Sequence, residues 1–189
     1  MGRFNMFNEE QGRFLTTLAR AAIAREFHGK EALPAQPDWL RAPGAVFVTL
    51  TEAGRLRGCI GSLEAHRSLG DDVLHNARAA AFRDPRFPPL GEDELNRIRV
   101  EVSVLTPATP MTYSNEADAL AQLRPGVDGV ILEYGWHRAT FLPQVWEQLP
   151  EPHLFMSHLK QKAGLAGDFW AADVRLSRYG VEKFKEEQT

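Results

Sequence analysis

The sequence predicts an α+β fold in which antiparallel hairpins are interspersed with helices. Three observations carry this. Apolar residues recur at helical spacing from Leu15 to Phe27. Residues 97–105 alternate between apolar and polar side chains. Two turn signatures, Glu52-Ala53-Gly54 and Gly135-Trp136, each separate a pair of β-rich runs. At 189 residues the chain can bury a sizeable core in one domain or in two small lobes.

Each element has its own signal. Asn8 caps a helix running to His28, with Glu9 and Glu10 in the first turn, Gln11 in the capping-box position and Gly29 as the stop. Leu15, Leu18, Ala19, Ala22, Ile23 and Phe27 form its buried stripe. Pro34, Pro37 and Pro43 predict an extended connector over 30–43, pinned by Trp39 and Leu40. Ala45 to Thr51 and Arg55 to Gly61 form a hairpin. Alternation places Leu56, Gly58 and Ile60 on one face of the second strand and Arg55, Arg57 and Cys59 on the other. Gly58 and Gly61 carry no side chain, so a backbone or a ligand has room to approach.

Ser68 and Asp71 make an S-x-x-D cap for a helix whose stripe is Val73, Ala77 and Ala80 or Ala81. Pro85, Pro88 and Pro89 then force a stiff corner, and a helical turn is expected over Glu92 to Leu95. The strand from Arg97 to Leu105 presents Ile98, Val100, Val102 and Val104 on one face and Arg99, Glu101 and Ser103 on the other. Ser114 is expected to cap a short helix to Leu123, and Pro125-Gly126 to turn the chain. A second hairpin pairs 129–134 with 137–142. Pro143 opens a short helical piece, and Pro152 begins a helix with Leu154, Phe155 and Leu159 inward and Gly164 as its stop. Asp173 to Tyr179 reads as the last strand, and the tail from Glu182 as a charged, frayed end. Lobes are expected over about 1–112 and 113–189, with the last strand free to return to the larger sheet.

Composition bounds the function. Apolar residues at 43% and charged residues at 25% describe an ordinary soluble protein. Lys and Arg total 22 against 25 Asp and Glu, a net charge of −3, which argues against a nucleic-acid partner held by a basic field. A single cysteine excludes an intramolecular disulfide and suits a reducing compartment. No run approaches the roughly 18 apolar residues of a membrane helix. The N-terminal residues show no signal-peptide pattern, and Met6 stands where a myristoylation signal needs Ser or Thr. The expectation is a cytoplasmic protein with no membrane partner.

Six blocks in order carry a resemblance. They are Leu56-Arg57-Gly58-Cys59-Ile60-Gly61, Asp84-Pro85-Arg86-Phe87-Pro88-Pro89-Leu90, Glu101-Val102-Ser103-Val104-Leu105-Thr106, Gly126-Val127-Asp128-Gly129-Val130, Thr140-Phe141-Leu142-Pro143-Gln144-Val145 and Lys162-Ala163-Gly164-Leu165. Over roughly 10–180 the chain resembles the AMMECR1 family as a single domain. The resemblance implies two unequal lobes, each built on an antiparallel sheet, with the first motif at a groove between them. It also implies similarity to the A component of the AmmeMemoRadiSam grouping. A Memo-like protein and a radical SAM protein are the partners so implied, with no chemistry assigned to this chain. Ser62 stands where many relatives have Thr, and both keep a hydroxyl.

Cys59 is the candidate catalytic residue. Arg55 and Arg57 on its face would favour a thiolate, but no His is locally tied to it as a base. The competing reading is a small apolar residue in a strand. Arg57 and Arg86 are candidates for binding an anion or carboxylate, or for pairing with Glu101, Asp84 or Glu64. If the 97–105 strand neighbours the Cys59 strand, Arg57, Cys59, Glu101 and Ser103 converge. The expected binding groove is thus Arg57, Gly58, Cys59, Gly61, Arg86, Glu101 and Ser103, for a small ligand or a partner segment. No metal or cofactor is expected: His153 and His158 are five apart, poor spacing for a shared metal, and no phosphate-binding glycine loop occurs. A nucleic-acid module would need Arg41, Arg55, Arg57, Arg83, Arg86, Arg97 and Arg99 to cluster, with Phe47 or Phe87 for stacking. Trp136, at a hairpin tip, is the candidate for an exposed partner contact. Two functions compete: an accessory binding component, and an enzyme or redox protein using Cys59.

Overall fold

The computed structural model describes residues 5–29 and 32–187. Its elements, in order, are α1 (Glu9–His28), β1 (Pro43–Gly44), β2 (Val46–Glu52), β3 (Arg55–Gly61), β4 (Arg67–Ser68), α2 (Leu69–Phe82), β5 (Ile98–Leu105), β6 (Thr109–Pro110), α3 (Glu116–Gln122), β7 (Gly129–Tyr134), β8 (His137–Phe141), α4 (Pro152–Lys162), β9 (Arg175–Tyr179) and β10 (Val181–Lys185). The fold is α+β, with antiparallel pairing at every register described. The chain divides into two compact units: residues up to Leu105 together with those from Glu182, and Thr106–Val181.

The first unit is a four-stranded sheet in the order β10-β5-β2-β3, with α1 and α2 on one face. Its core joins Leu15, Leu18 and Ile23 of α1 to Val46, Val48 and Leu50 of β2, and to Val73, Ala77 and Ala80 of α2. The predicted caps form. The Asn8 side chain accepts from the Gln11 amide, Gln11 returns the bond, and Gly29 closes α1 at φ 65°. Ser68 accepts from Asp71 at the start of α2. Ala53 and Gly54 both have positive φ, 48° and 76°, which matches the twist of the two strands they join. The connector holds a 3-10 turn, Asp38–Arg41, that buries Leu40; residues 30 and 31 of the expected connector lie outside the described residues.

The second unit is a sheet in the order β6-β9-β7-β8 over α3 and α4. Its core stacks Trp146 on Phe155 at 3.8 Å and buries Leu132, Leu159 and Leu176. The cap of α3 is Asn115, one residue later than expected. Phe155 and Leu159 of α4 are buried as expected, Met156 joins them, and Leu154 faces out.

The tail departs most from expectation. Residues 181–185 form β10 beside β5 rather than a frayed end. Phe184 packs over Gly12 of α1, where a Cβ would meet the ring at 2.2 Å. Glu186 pairs with Arg20 and accepts from the Val100 amide. Charge in this tail is therefore spent on specific partners. Residues 188 and 189 of it lie outside the described residues.

Candidate functional site

The groove residues named from sequence all belong to the first unit, while Trp136, the candidate partner contact, lies in the second and is exposed. Strand β3 is an edge, bonded to β2 on one side. Ser62 donates to the Val46 carbonyl, so Ile60 and Gly58 face the ladder and the Cys59 peptide faces away from β2. Side chains replace the absent strand there. The Cys59 amide donates to Asp84 Oδ2 at 2.9 Å, and Arg86 Nη2 donates to the Cys59 carbonyl at 3.2 Å. The Asp84 and Arg86 side chains are themselves joined by two bonds, at 3.0 and 2.7 Å, and the Arg86 amide donates a third to Asp84 Oδ1 at 3.1 Å. The Arg86 guanidinium, helped by the Cys59 and Arg86 amides, holds the Asp84 carboxyl well below the usual carboxylate range.

Arg57 sits in a β-bulge. The register runs Leu50↔Gly58 and then Thr51↔Leu56, leaving Arg57 as the extra residue. Its guanidinium forms a two-bond pair with Glu94, at 2.7 and 2.9 Å, and both side chains are largely buried. The pair lowers the Glu94 carboxyl to about 2 and raises Arg57. Phe87 takes both guanidinium groups near its ring, Arg57 at 5.9 Å and Arg86 at 5.5 Å. Glu94, a partner that sequence reasoning missed, lies in a 3-10 turn and also accepts from the Gly91 amide. The helical turn over Glu92 to Leu95 was legible; the meeting of Glu94 with Arg57 needed the fold.

The bulge corrects the expected alternation. Leu56 shares a row with Thr51 rather than a face with Gly58 and Ile60, and it is 43% exposed. The glycines serve opposite faces. A Cβ on Gly58 would lie 2.2 Å from the Ala80 carbonyl oxygen, so α2 packs directly on the β3 backbone. A Cβ on Gly61 would lie 2.2 Å from the Phe47 ring.

Strands β3 and β5 are not neighbours, since β2 lies between them. Thr49 of β2 faces Cys59 on one side and Glu101 on the other, and Phe47 likewise links Gly61 and Ser103. Cys59 and Glu101 thus share the face away from the helices, one strand apart. The Cys59 thiol meets the Thr49 hydroxyl at 3.3 Å, and Glu101 pairs with Lys185 at 3.2 Å. Ser103 is buried. Arg57 takes Glu94, which was not among its expected partners, and Arg86 takes Asp84, which was. Among the described residues no group of three or more His, Cys, Asp and Glu is placed to hold a metal ion.

Comparison with known proteins decides the family. The AMMECR1 profile matches residues 16–184. The chain is a member of the AMMECR1 family. A protein of Methanothermobacter thermautotrophicus is 40% identical over 190 residues, covering 98% of this chain and 99% of that one. A protein of Methanocaldococcus jannaschii is 36% identical, covering 94% and 90%. The crystal structure of an uncharacterized protein from Pyrococcus horikoshii superposes with a TM-score of 0.77 at 34% identity, covering 96% of this chain and 94% of that one. In this AMMECR1 chain the first two motifs are physically one feature: the second supplies the side chains that complete the edge of the first. Among its described residues no helix is long and apolar enough to cross a membrane.

Proposed function

We infer that this AMMECR1 protein is a non-catalytic, cytoplasmic binding component whose surface at β3 engages a partner. One observation carries the reading: the groups that chemistry at Cys59 would need are committed to one another. Arg57 is held by Glu94, Arg86 by Asp84, and the thiol by the Thr49 hydroxyl. A nucleophilic thiol wants a positioned base or an available cation. The outer face of the sheet offers instead Leu56, Thr49, Cys59 and Glu101, a mixed apolar and polar strip of the kind that binds protein segments. The family resemblance makes a Memo-like protein and a radical SAM protein the partners to try, with a small ligand on the strip as a further occupant.

The nucleic-acid reading loses support at other arginines named for it. Arg41 pairs with Asp38, Arg97 with Glu52 and Asp93, and Arg99 bonds the Glu187 carbonyl. Those charges are answered within the chain rather than pooled.

Co-purification of the tagged chain with each candidate partner tests the proposal. The expected result is a complex that survives Cys59→Ala and is weakened by Leu56→Asp, whose side chain is exposed. Recovery of neither partner would overturn it. A turnover that Cys59→Ala abolishes would favour the enzyme instead.

A further inference from the structure

We propose that the Asp84–Arg86 pair is a lock on the open edge of β3, there to stop the edge strand of a second copy from pairing with it. An edge strand with free N–H and C=O groups invites another chain, and proteins blunt such edges with bulges, prolines, charges and covering loops. The outward peptide of Cys59 lies on such an edge. Three of those devices converge on it. The Arg57 bulge breaks the regular ladder two residues before Cys59. The covering segment carries Pro85, Pro88 and Pro89, which have no N–H to extend a sheet. Asp84 and Arg86 present one acceptor and one donor to the Cys59 peptide, the same complement that a neighbouring strand would offer.

The two side chains differ in exposure, and this fits a lock rather than a gate. Asp84 is almost fully buried, whereas Arg86 is half exposed at the rim. Opening the lock would strand a buried carboxylate without its cation. Because Arg86 holds that carboxyl ionised far into acid, ordinary changes of pH leave the lock closed. The inference concerns the edge of β3, whereas the partner reading concerns its outer face, so each stands or falls alone.

The single cysteine supplies the reporter. Two β3 edges paired antiparallel about Cys59 would bring the two Cα atoms to about 5.5 Å. That lies inside the roughly 4.4–6.8 Å that a disulfide spans. The experiment compares the wild-type chain with Asp84→Ala and with the double variant Asp84→Ala/Arg86→Ala. It reads native-state exchange of the Cys59 amide, with the ladder-bonded Ile60 amide as internal control, sedimentation over a range of protein concentrations, and diamide-driven Cys59 crosslinking. In Asp84→Ala we expect Cys59 exchange to quicken by more than about tenfold while Ile60 stays protected. We expect both variants to associate beyond the wild-type state, with Cys59 crosslinks in the associated form. Should Asp84→Ala fail to fold, the double variant decides, since it frees the Cys59 amide and carbonyl together and strands no buried charge. Variants that keep the wild-type association state overturn the proposal, even where Cys59 exchange quickens.

Discussion

Arg57 shows how a residue chosen for its chemistry is occupied by structure. Its charge is matched by Glu94 at 2.7 Å, with both side chains largely withdrawn from water. Removing one member of such a pair leaves the other uncompensated. Glu94→Gln should therefore cost roughly 3 kcal/mol of stability, read from denaturant unfolding at neutral pH. The pH dependence follows from the lowered carboxyl. A depressed pKa stabilises the fold above the unfolded value near 4.3 and is lost as pH falls through the folded value. Glu94 reaches about 2, so wild-type stability should decline between roughly pH 4 and 2. Glu94→Gln should flatten that decline, and an unchanged slope would show that Glu94 is not its source. The sequence displayed Arg57 as a charged residue beside a cysteine. It did not display Glu94 as the partner, because the two are 37 residues apart and meet only once α2 has packed on the sheet.

At the scale of elements, the hairpin β2–β3 was readable because its signals are local: the Ala53-Gly54 turn and the β-rich runs on either side of it. The bulge was not readable, since one extra residue changes no composition. It turns Leu56 outward and sets Arg57 out of the ladder. The caps of α1 and α2 were legible for the same local reason, whereas Asn115 displaced Ser114 because either residue type can cap. The glycines rank by what they touch. Gly58→Ala drives a methyl against helix backbone, which cannot retreat without moving α2, and should cost about 3 kcal/mol. Gly61→Ala meets the Phe47 ring, which can rotate, and should cost about 1 kcal/mol. Thermal unfolding of the two variants checks the order, and a costlier Gly61→Ala would contradict it.

At the scale of the molecule, the antiparallel α+β class was legible from alternation and turns, while the path of the chain was not. The first unit takes its last strand from the far end of the sequence. Nothing local distinguishes 181–185 from a charged tail; its value comes from Phe184 meeting Gly12 and Glu186 meeting Arg20. Truncation after Gly180 should thus weaken the first unit while sparing the second. Hydrogen exchange should show lost protection at Val100 and Val102 of β5 with Leu132 of β7 unchanged, and uniform loss would contradict this. The functional claim belongs to this scale too, since it concerns what the whole AMMECR1 chain binds. Its most direct test is a calorimetric titration of the Memo-like and radical SAM proteins with the wild-type chain and with Cys59→Ala. The account predicts saturable binding to at least one of them, with the same affinity for both forms of the chain; no binding to either, or binding that depends on the thiol, would contradict it.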